Sequence, residues 1–242
     1  MSDFGKISAP SLKETCVQAI LTKILSGDLK PGDKLPAERD LAEAMGVSRS
    51  SLNHGIVELE AMGFLTVEPR RGTVVNDYRR YPTPQSLAAV MRYSSVEMDR
   101  PLFDDLMATR LLIESECARL ACRHIYASSL VKMQRMVDQL AAEPEDPTEL
   151  LYQFHYQLIQ ASGNTIYSMI YRGFETVLRN LIRQHYHMRA QDIRESARLH
   201  QQLLDAIARK DEPSAEHIAR QILTQGSRAL EEKYGSTPDT AQ

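Results

Sequence analysis

Three cysteines in 242 residues, Cys16, Cys117 and Cys122, are too few and too irregularly spaced for a disulfide framework or a thiolate metal site. They predict free thiols in a reducing cytoplasm. No N-terminal apolar stretch resembles a signal peptide, and no run approaches the length of a membrane span, so a cytoplasmic chain without a membrane partner is expected. Also lacking is any excess of cations. The net charge is -3 and the pI about 6.2, which argues against a binder of bulk polyanions. A specific DNA reader stays open, because it needs cations placed on one face and not in surplus. What is present, 25% charged and 43% hydrophobic residues, describes a globular chain long enough for one large domain or two ordinary ones.

Val17, Ile20, Leu21 and Ile24 recur at helical spacing within residues 12 to 26, and Gly27 ends that helix. The "KPGDKLP" stretch is turn chemistry. "AERDLAEAM" then predicts a short helix closed by Gly46, and Ser48 caps a third helix from Arg49 to about Met62. Two short β-type runs, 64–67 and 73–76, flank a Pro-Arg-Arg-Gly turn, the pattern of a hairpin. The predicted class is therefore mainly α. An N-terminal winged helix-turn-helix with a small β-hairpin occupies residues 1–78, and a proline-marked linker spans 79–101. An antiparallel all-α bundle follows over 102–235, and a disordered tail over 236–242. Within the bundle, helices are expected at 102–124, 128–142, 148–161, 165–188, 192–209 and 213–233.

On a helical wheel Leu52, Ile56 and Leu59 of the third helix fall together and must face a core. Ser50, Asn53 and His54 project from the other side, with Arg49 beside them, in the part of a recognition helix that reaches base edges. Ser48, Ser50 and Ser51 place hydroxyls at a positive helix N-terminus, suited to phosphate oxygens. Arg70, Arg71 and Gly72 make a basic wing tip that suits a minor groove. Against this stands the charge of residues 1–78, nine Lys and Arg to eleven Asp and Glu. Binding would then depend on few cations, repeated by two-fold symmetry.

"LKPGDKLPAERDLAEAMGVSRSSLNHGIVELEAMGFLTVEPRRGTVV" resembles the winged helix of the GntR family of bacterial transcription regulators, almost without a gap. "LPAERDLA", "GVSRSSL" and "LEAMGFLTV" are its specific parts. The resemblance implies a homodimeric repressor or activator on a palindromic double-stranded operator. Carried over by position, Arg39 would touch backbone and bases, and Arg49 would read a guanine. Ser48, Ser50 and Ser51 would hold phosphates, while Arg71 and Gly72 would enter the minor groove. Asn53 departs from the pattern, which usually has Arg there, and His54 stands where an acidic or small residue is common. Asparagine matches adenine N6 and N7 by geometry, so an altered operator is implied.

Residues 102 to 233 resemble the effector domain of the FadR subfamily, through "LFDDLMATRLLIESECARLAC", "FHYQLIQASGNTIYSMIYRGFETVL" and "RLHQQLLDAIARKD". Many members hold a divalent metal with one Asp and three His, completed by a small carboxylate ligand. Here the Asp position is Leu151, two of the His positions are His155 and His200, and the third falls on Ile222. Two imidazoles without a carboxylate make a poor site, so no divalent metal is expected. His155 shares a helix face with Leu151 and Leu158 and should point inward. A pair of partly buried, hydrogen-bonded histidines is one account of His155 and His200, and a ligand-binding role is the other. The fatty-acid-responsive regulator that names the subfamily also lacks the metal set and binds a long acyl-CoA. An acyl chain would suit a pocket lined by Leu151, Ile170, Phe174 and Ile222. Arg110 is a candidate carboxylate contact, with an i,i+4 pair to Glu114 as the alternative.

An enzyme reading finds little to stand on. No nucleophile elbow, phosphate loop or zincin pattern occurs, and His185 and His187 diverge on a helix. The chain is also too short for the aminotransferase-type domain of some GntR-like proteins. The remaining alternative is a metal- or small-molecule-binding sensory protein with a weakened DNA head. The expected function is a ligand-responsive, DNA-binding transcription regulator whose effector is an organic acid or acyl compound.

Overall fold

A computed structural model describes residues 11–93, 99–188 and 192–234. The tail expected at 236–242 lies outside them. The chain divides into two compact units, residues 1–97 and 98–242.

In the first unit, α1 (Leu12–Leu25) starts from a capping box, with Ser11 taking the Glu14 N–H and the Glu14 side chain returning to the Ser11 N–H. The short α2 (Glu38–Met45) ends at Gly46, whose φ of 65° is the left-handed conformation that glycine adopts at least cost. Ser48 caps α3 (Arg49–Ala61), and its side chain accepts from the Ser51 N–H. An antiparallel hairpin follows, β1 (Leu65–Glu68) with β2 (Gly72–Val75) in the register Leu65 to Val75. The residues that share a face on the helical wheel, Leu52, Ile56 and Leu59, are buried with Val17, Ile20 and Leu21 of α1. Burial of that apolar stripe is what fixes the angle of α3, and with it which residues are left outside.

One close approach in this unit needs a glycine. A Cβ at Gly55 would lie 3.2 Å from the Cys16 Cβ on α1. Gly55→Val is therefore expected to destabilise the unit by about 1–3 kcal/mol through overpacking. Thermal unfolding would check this, and an unchanged melting temperature would mean that α1 has room to move.

Two features go beyond the sequence reading. The "KPGDKLP" turn also donates a short third edge to the wing: Leu35 N–H bonds Thr73 O and Val75 N–H bonds Asp33 O, each at 2.9 Å. The span expected as linker contains α4 (Pro84–Tyr93), which packs on α1 and buries Ser86, Ala89, Val90 and Met91. Pro84 had marked it as irregular. A proline at the first position of a helix gives up an N–H that would have no partner there, and Thr83 and Ser86 exchange hydrogen bonds to start the turn.

The second unit contains α5 (Arg100–His124), α6 (Ala127–Ala141), α7 (Thr148–Ala161), α8 (Thr165–Gly173), α9 (Glu175–Met188), α10 (Ile193–Ala208) and α11 (Glu212–Tyr234). The long α5 lies against α7, α10 and α11, and α10 also packs on α6 and α11. A core of Ala118, Cys122, Met133, Phe154, Leu158 and Leu203 joins four of these helices. Residues 165–188 were expected as one helix. They form two, because Gly173 carries little helix propensity and Phe174 leaves the helical conformation with its side chain buried.

Candidate functional site

On the head, the α3 residues that project away from the core are Arg49, Ser50, Asn53 and His54, all exposed. Ser48 and Ser51 are held to each other, with their hydroxyls 2.9 Å apart, as part of the cap. The wing tip carries Arg70 with φ of 66°, in the left-handed region, followed by Gly72. This conformation places two arginines in succession at the turn. Arg71 approaches Glu68 at 3.4 Å and Arg39 bonds Asp40 at 3.0 Å, both pairs on the surface and easily exchanged for a phosphate. Neither Arg49 nor Arg70 has an acidic partner among the described residues. Lys30 and Lys34, in the turn before α2, also have no acidic side-chain partner among the described residues, so the recognition helix and the wing each carry one of several such cations.

In the bundle, Arg110 of α5, Leu151 and His155 of α7, His200 of α10 and Ile222 of α11 line one cavity of about 70 Å³. The four positions at which the resemblance implied metal ligands thus converge on one space. Phe174 does not line it. With Ile170 it borders a separate pocket of about 10 Å³ beside Thr109, Ile113 and Glu114, because the break between α8 and α9 turns it that way. His217 of α11 is exposed.

The polar heart of the cavity is a chain of four side chains. Arg110 Nε donates to Glu114 Oε1 at 2.8 Å. Glu114 Oε2 lies 2.7 Å from His155 Nδ1, a short electrostatic contact off the line of a directed hydrogen bond. His155 Nε2 and His200 Nε2 are 3.4 Å apart. His200 Nδ1 closes the chain at 2.7 Å from the Ser196 carbonyl oxygen. Glu114 is only 1% exposed, as is His200. His185 and Asp192, 3.7 Å apart, and Ser196 also border the cavity. Asp192 and Ser196 were not singled out from the sequence, His185 was weighed there only for an enzyme reading, and Glu114 was read only as an i,i+4 partner of Arg110. The i,i+4 spacing of Arg110 and Glu114 is legible, whereas contact with His155 requires two helices to meet.

Burial alone would raise the Glu114 carboxyl, but Arg110 and His155 outweigh it and hold the group at about 2. Burial, with the adjacent His155 adding to it, pushes His200 down to about 3. Both folded values lie below the ordinary ones, so the folded protein binds fewer protons than the unfolded chain in acid. Stability from His200 is full above about 6.5 and is lost as pH falls toward 3, with a slope of about 1.4 kcal/mol per pH unit. The Glu114 contribution starts to fall only below its ordinary value near 4.5. The melting temperature should therefore decline between pH 6.5 and 4.5, and His200→Gln should flatten that segment. An equally steep decline in the variant would assign it to another group.

As a donor set for a divalent cation, the cavity does not fit. At the four positions where the resemblance implies ligands two imidazoles remain, Leu151 and Ile222 bring hydrocarbon, and Glu114 is already engaged with Arg110. His185 and Asp192 border the cavity without joining His155 and His200 in one ligand group. No group of three or more His, Cys, Asp or Glu that could hold a metal occurs among the described residues. No helix of those residues is long and apolar enough to cross a membrane.

A winged head with an exposed, partly cationic recognition helix, joined in one chain to a helical bundle with a buried polar cavity, defines a DNA-binding regulator with a sensory domain. Residues 12–75 match the bacterial regulatory proteins of the gntR family, and residues 105–225 match the FCD domain. This chain belongs to that family of transcription regulators. It is 32% identical over 171 residues to a fatty acid metabolism regulator protein of Yersinia pestis, covering 70% of each chain. It is 29% identical over 204 residues to the protein of that name from Erwinia tasmaniensis, covering 84% of each. The HTH-type transcriptional regulator Mce2R of Mycobacterium tuberculosis is 27% identical over 173 residues, covering 69% of this chain and 70% of that one. Among solved structures, Lar, which controls the agr system of Listeria monocytogenes, shares the fold with a TM-score of 0.63 at 18% identity. That match covers 93% of this chain and 99% of Lar.

Proposed function

We propose that the chain acts as a homodimer on a palindromic operator and is switched by a small-molecule effector in the cavity of the helical unit, with no catalytic step. The observation that carries this reading is the pairing of two sites in one regulator chain. Arg49, Asn53 and Arg70 have no side-chain partner among the described residues of the head, and Arg110, Leu151, His155, His200 and Ile222 line one cavity. Arg49 reads a guanine, Asn53 an adenine or a water-linked base, and His54 lies beside them. Arg39, Ser48, Ser50 and Ser51 position the phosphate backbone, and Arg70, Arg71 and Gly72 approach the minor groove. Effector binding shifts the placement of the two heads of the dimer, so that they no longer match the half-site spacing.

Selection of genomic fragments by the purified protein tests this. A palindromic motif is expected. Arg49→Ala should weaken it by about 5- to 150-fold, the worth of one bidentate base contact of about 1–3 kcal/mol. Asn53→Arg should change the base selected at one position in each half-site. An unchanged motif would remove Asn53 from base reading, and no enrichment over Arg49→Ala would remove the operator.

A second effector reading has its own support. A pocket of about 190 Å³ between α5 and α11, lined by Met107, Ala108, Leu111, Thr224 and Ser227, shares Arg110 and Leu223 with the polar cavity. Its apolar walls suit an acyl chain, and two of the relatives are named as fatty acid metabolism regulators. A genomic motif beside fatty-acid genes would favour this reading over a small acid.

A further inference from the structure

We infer that Lys34 is a further DNA contact of the head, a phosphate clamp carried on the third edge of the wing. This rests on the reading of the head as an operator binder, and it extends the binding surface from the wing tip back along β2.

The position follows from backbone pairing. Lys34 bridges Val74 of β2 in antiparallel sense. Three hydrogen bonds of 2.9 Å tie the turn to that strand, from Gly32 N–H to Val75 O, from Leu35 N–H to Thr73 O and from Val75 N–H to Asp33 O. Lys34 is thus held by a ladder on both sides, whereas Lys30 lies before the ladder begins. Because the pairing is antiparallel, the chain leaves Leu35 toward the Gly72 end of the wing and enters α2 there, one residue before Arg39. Lys34 itself stands opposite a residue two places from Gly72, about 7 Å along a strand.

The direction of the side chain follows from alternation. Leu35, Thr73 and Val75 are buried, so Lys34 and Val74 face outward, and Lys34 is exposed. Thr66 and Glu68, paired with Val74 and Gly72, share this outer face. Little on it competes for the ammonium. Thr66 donates to Asn76 Oδ1 at 2.9 Å, and Glu68 has Arg71 at 3.4 Å. Asp33 belongs to the other face of its strand, and its carboxylate accepts from the Lys30 N–H at 2.7 Å. On α1, by contrast, Lys13 and Lys23 are matched by Glu58 and Asp28. An ammonium on a fixed strand, beside a wing tip that approaches the minor groove, is placed to meet the phosphate backbone. As a point charge without a fork it adds affinity and carries no sequence information.

Fluorescence anisotropy of the full chain tests this, with the selected operator and with a scrambled duplex across a range of salt concentrations. Each phosphate contact contributes about 0.9 to the slope of log K against log salt, so Lys34→Gln, lost from both protomers, should lower the slope by about 1.8. It should weaken operator and scrambled duplex by the same factor, at least about fivefold near 0.1 M salt. Lys34→Arg should restore both values, and Lys132→Gln on α6 should change neither. The melting temperature of Lys34→Gln should match that of the natural chain, since only the backbone of Lys34 is bonded in the fold. An unaltered slope in Lys34→Gln would overturn the proposal, as would an equal fall in Lys132→Gln or a loss confined to the operator. If an operator is selected and the slope does not move, this inference fails while the regulator reading stands. If no operator is selected, yet the scrambled duplex loses the same slope in Lys34→Gln, the cationic edge stands and the regulator reading fails.

Discussion

Replacing Leu151 by Asp and Ile222 by His is expected to create a divalent metal site where the natural sequence has none. Leu151 stands one helical turn before His155, and Ile222 reaches the same cavity from α11. The two histidines already present Nε2 inward, and Glu114 and the Ser196 carbonyl hold their Nδ1 atoms, as outer partners do in metal sites. Only the donor count is short. Supplying a carboxylate and a third imidazole should raise zinc affinity on the order of 100-fold or more over the natural chain, read by competition with a chromophoric chelator. The metal-free double variant should also melt at a lower temperature, because Leu151→Asp places a charge in an apolar wall. Unchanged zinc affinity would show that the four positions line one cavity without aiming at one point.

Glu114→Ala should cost about 3–5 kcal/mol, the range for removing one partner of a buried ion pair. Glu114 is 1% exposed and stands between Arg110 and His155. Truncation leaves the Arg110 guanidinium buried with no counter-charge among its described neighbours and frees the His155 ring to rotate. Denaturant unfolding would measure the loss. Arg110→Met/Glu114→Leu, which removes both charges together, should recover much of it, since hydrocarbon of similar volume often replaces a buried ion pair without penalty. A loss below about 1 kcal/mol for Glu114→Ala would put the pair in the range of solvent-screened surface bridges.

Much of the fold is legible in the sequence because its signals are local. Ser11, Ser48 and Gly46 mark helix ends through hydrogen bonds or backbone conformations that lie within a few residues. The burial of Leu52, Ile56 and Leu59 follows from their spacing, and with it the exposure of Arg49, Asn53 and His54. Signals with two meanings are harder to read. Pro84 marks irregular chain in one context and the first turn of a helix in another, and packing on α1 selects the second. Gly173 is tolerated inside many helices. Here it becomes a break because Phe174 gains burial by leaving the helical path.

The sequence by itself determined the helical periodicity, the caps, the wing turn and the order of the parts, since each depends on neighbours within about one to three helical turns. It also determined which donor types were missing, as Leu151 and Ile222 supply no ligand in any fold. Tertiary structure decided what those positions surround. His155 and His200 are 45 residues apart, and only the meeting of α7 and α10 brings their Nε2 atoms to 3.4 Å. The same assembly gave Glu114 a second partner and left the outer end of Arg110 without one among the described residues. No spacing rule reaches across helices that distant. Their approach is set by non-directional burial of apolar faces, and the polar cluster takes its geometry from that packing.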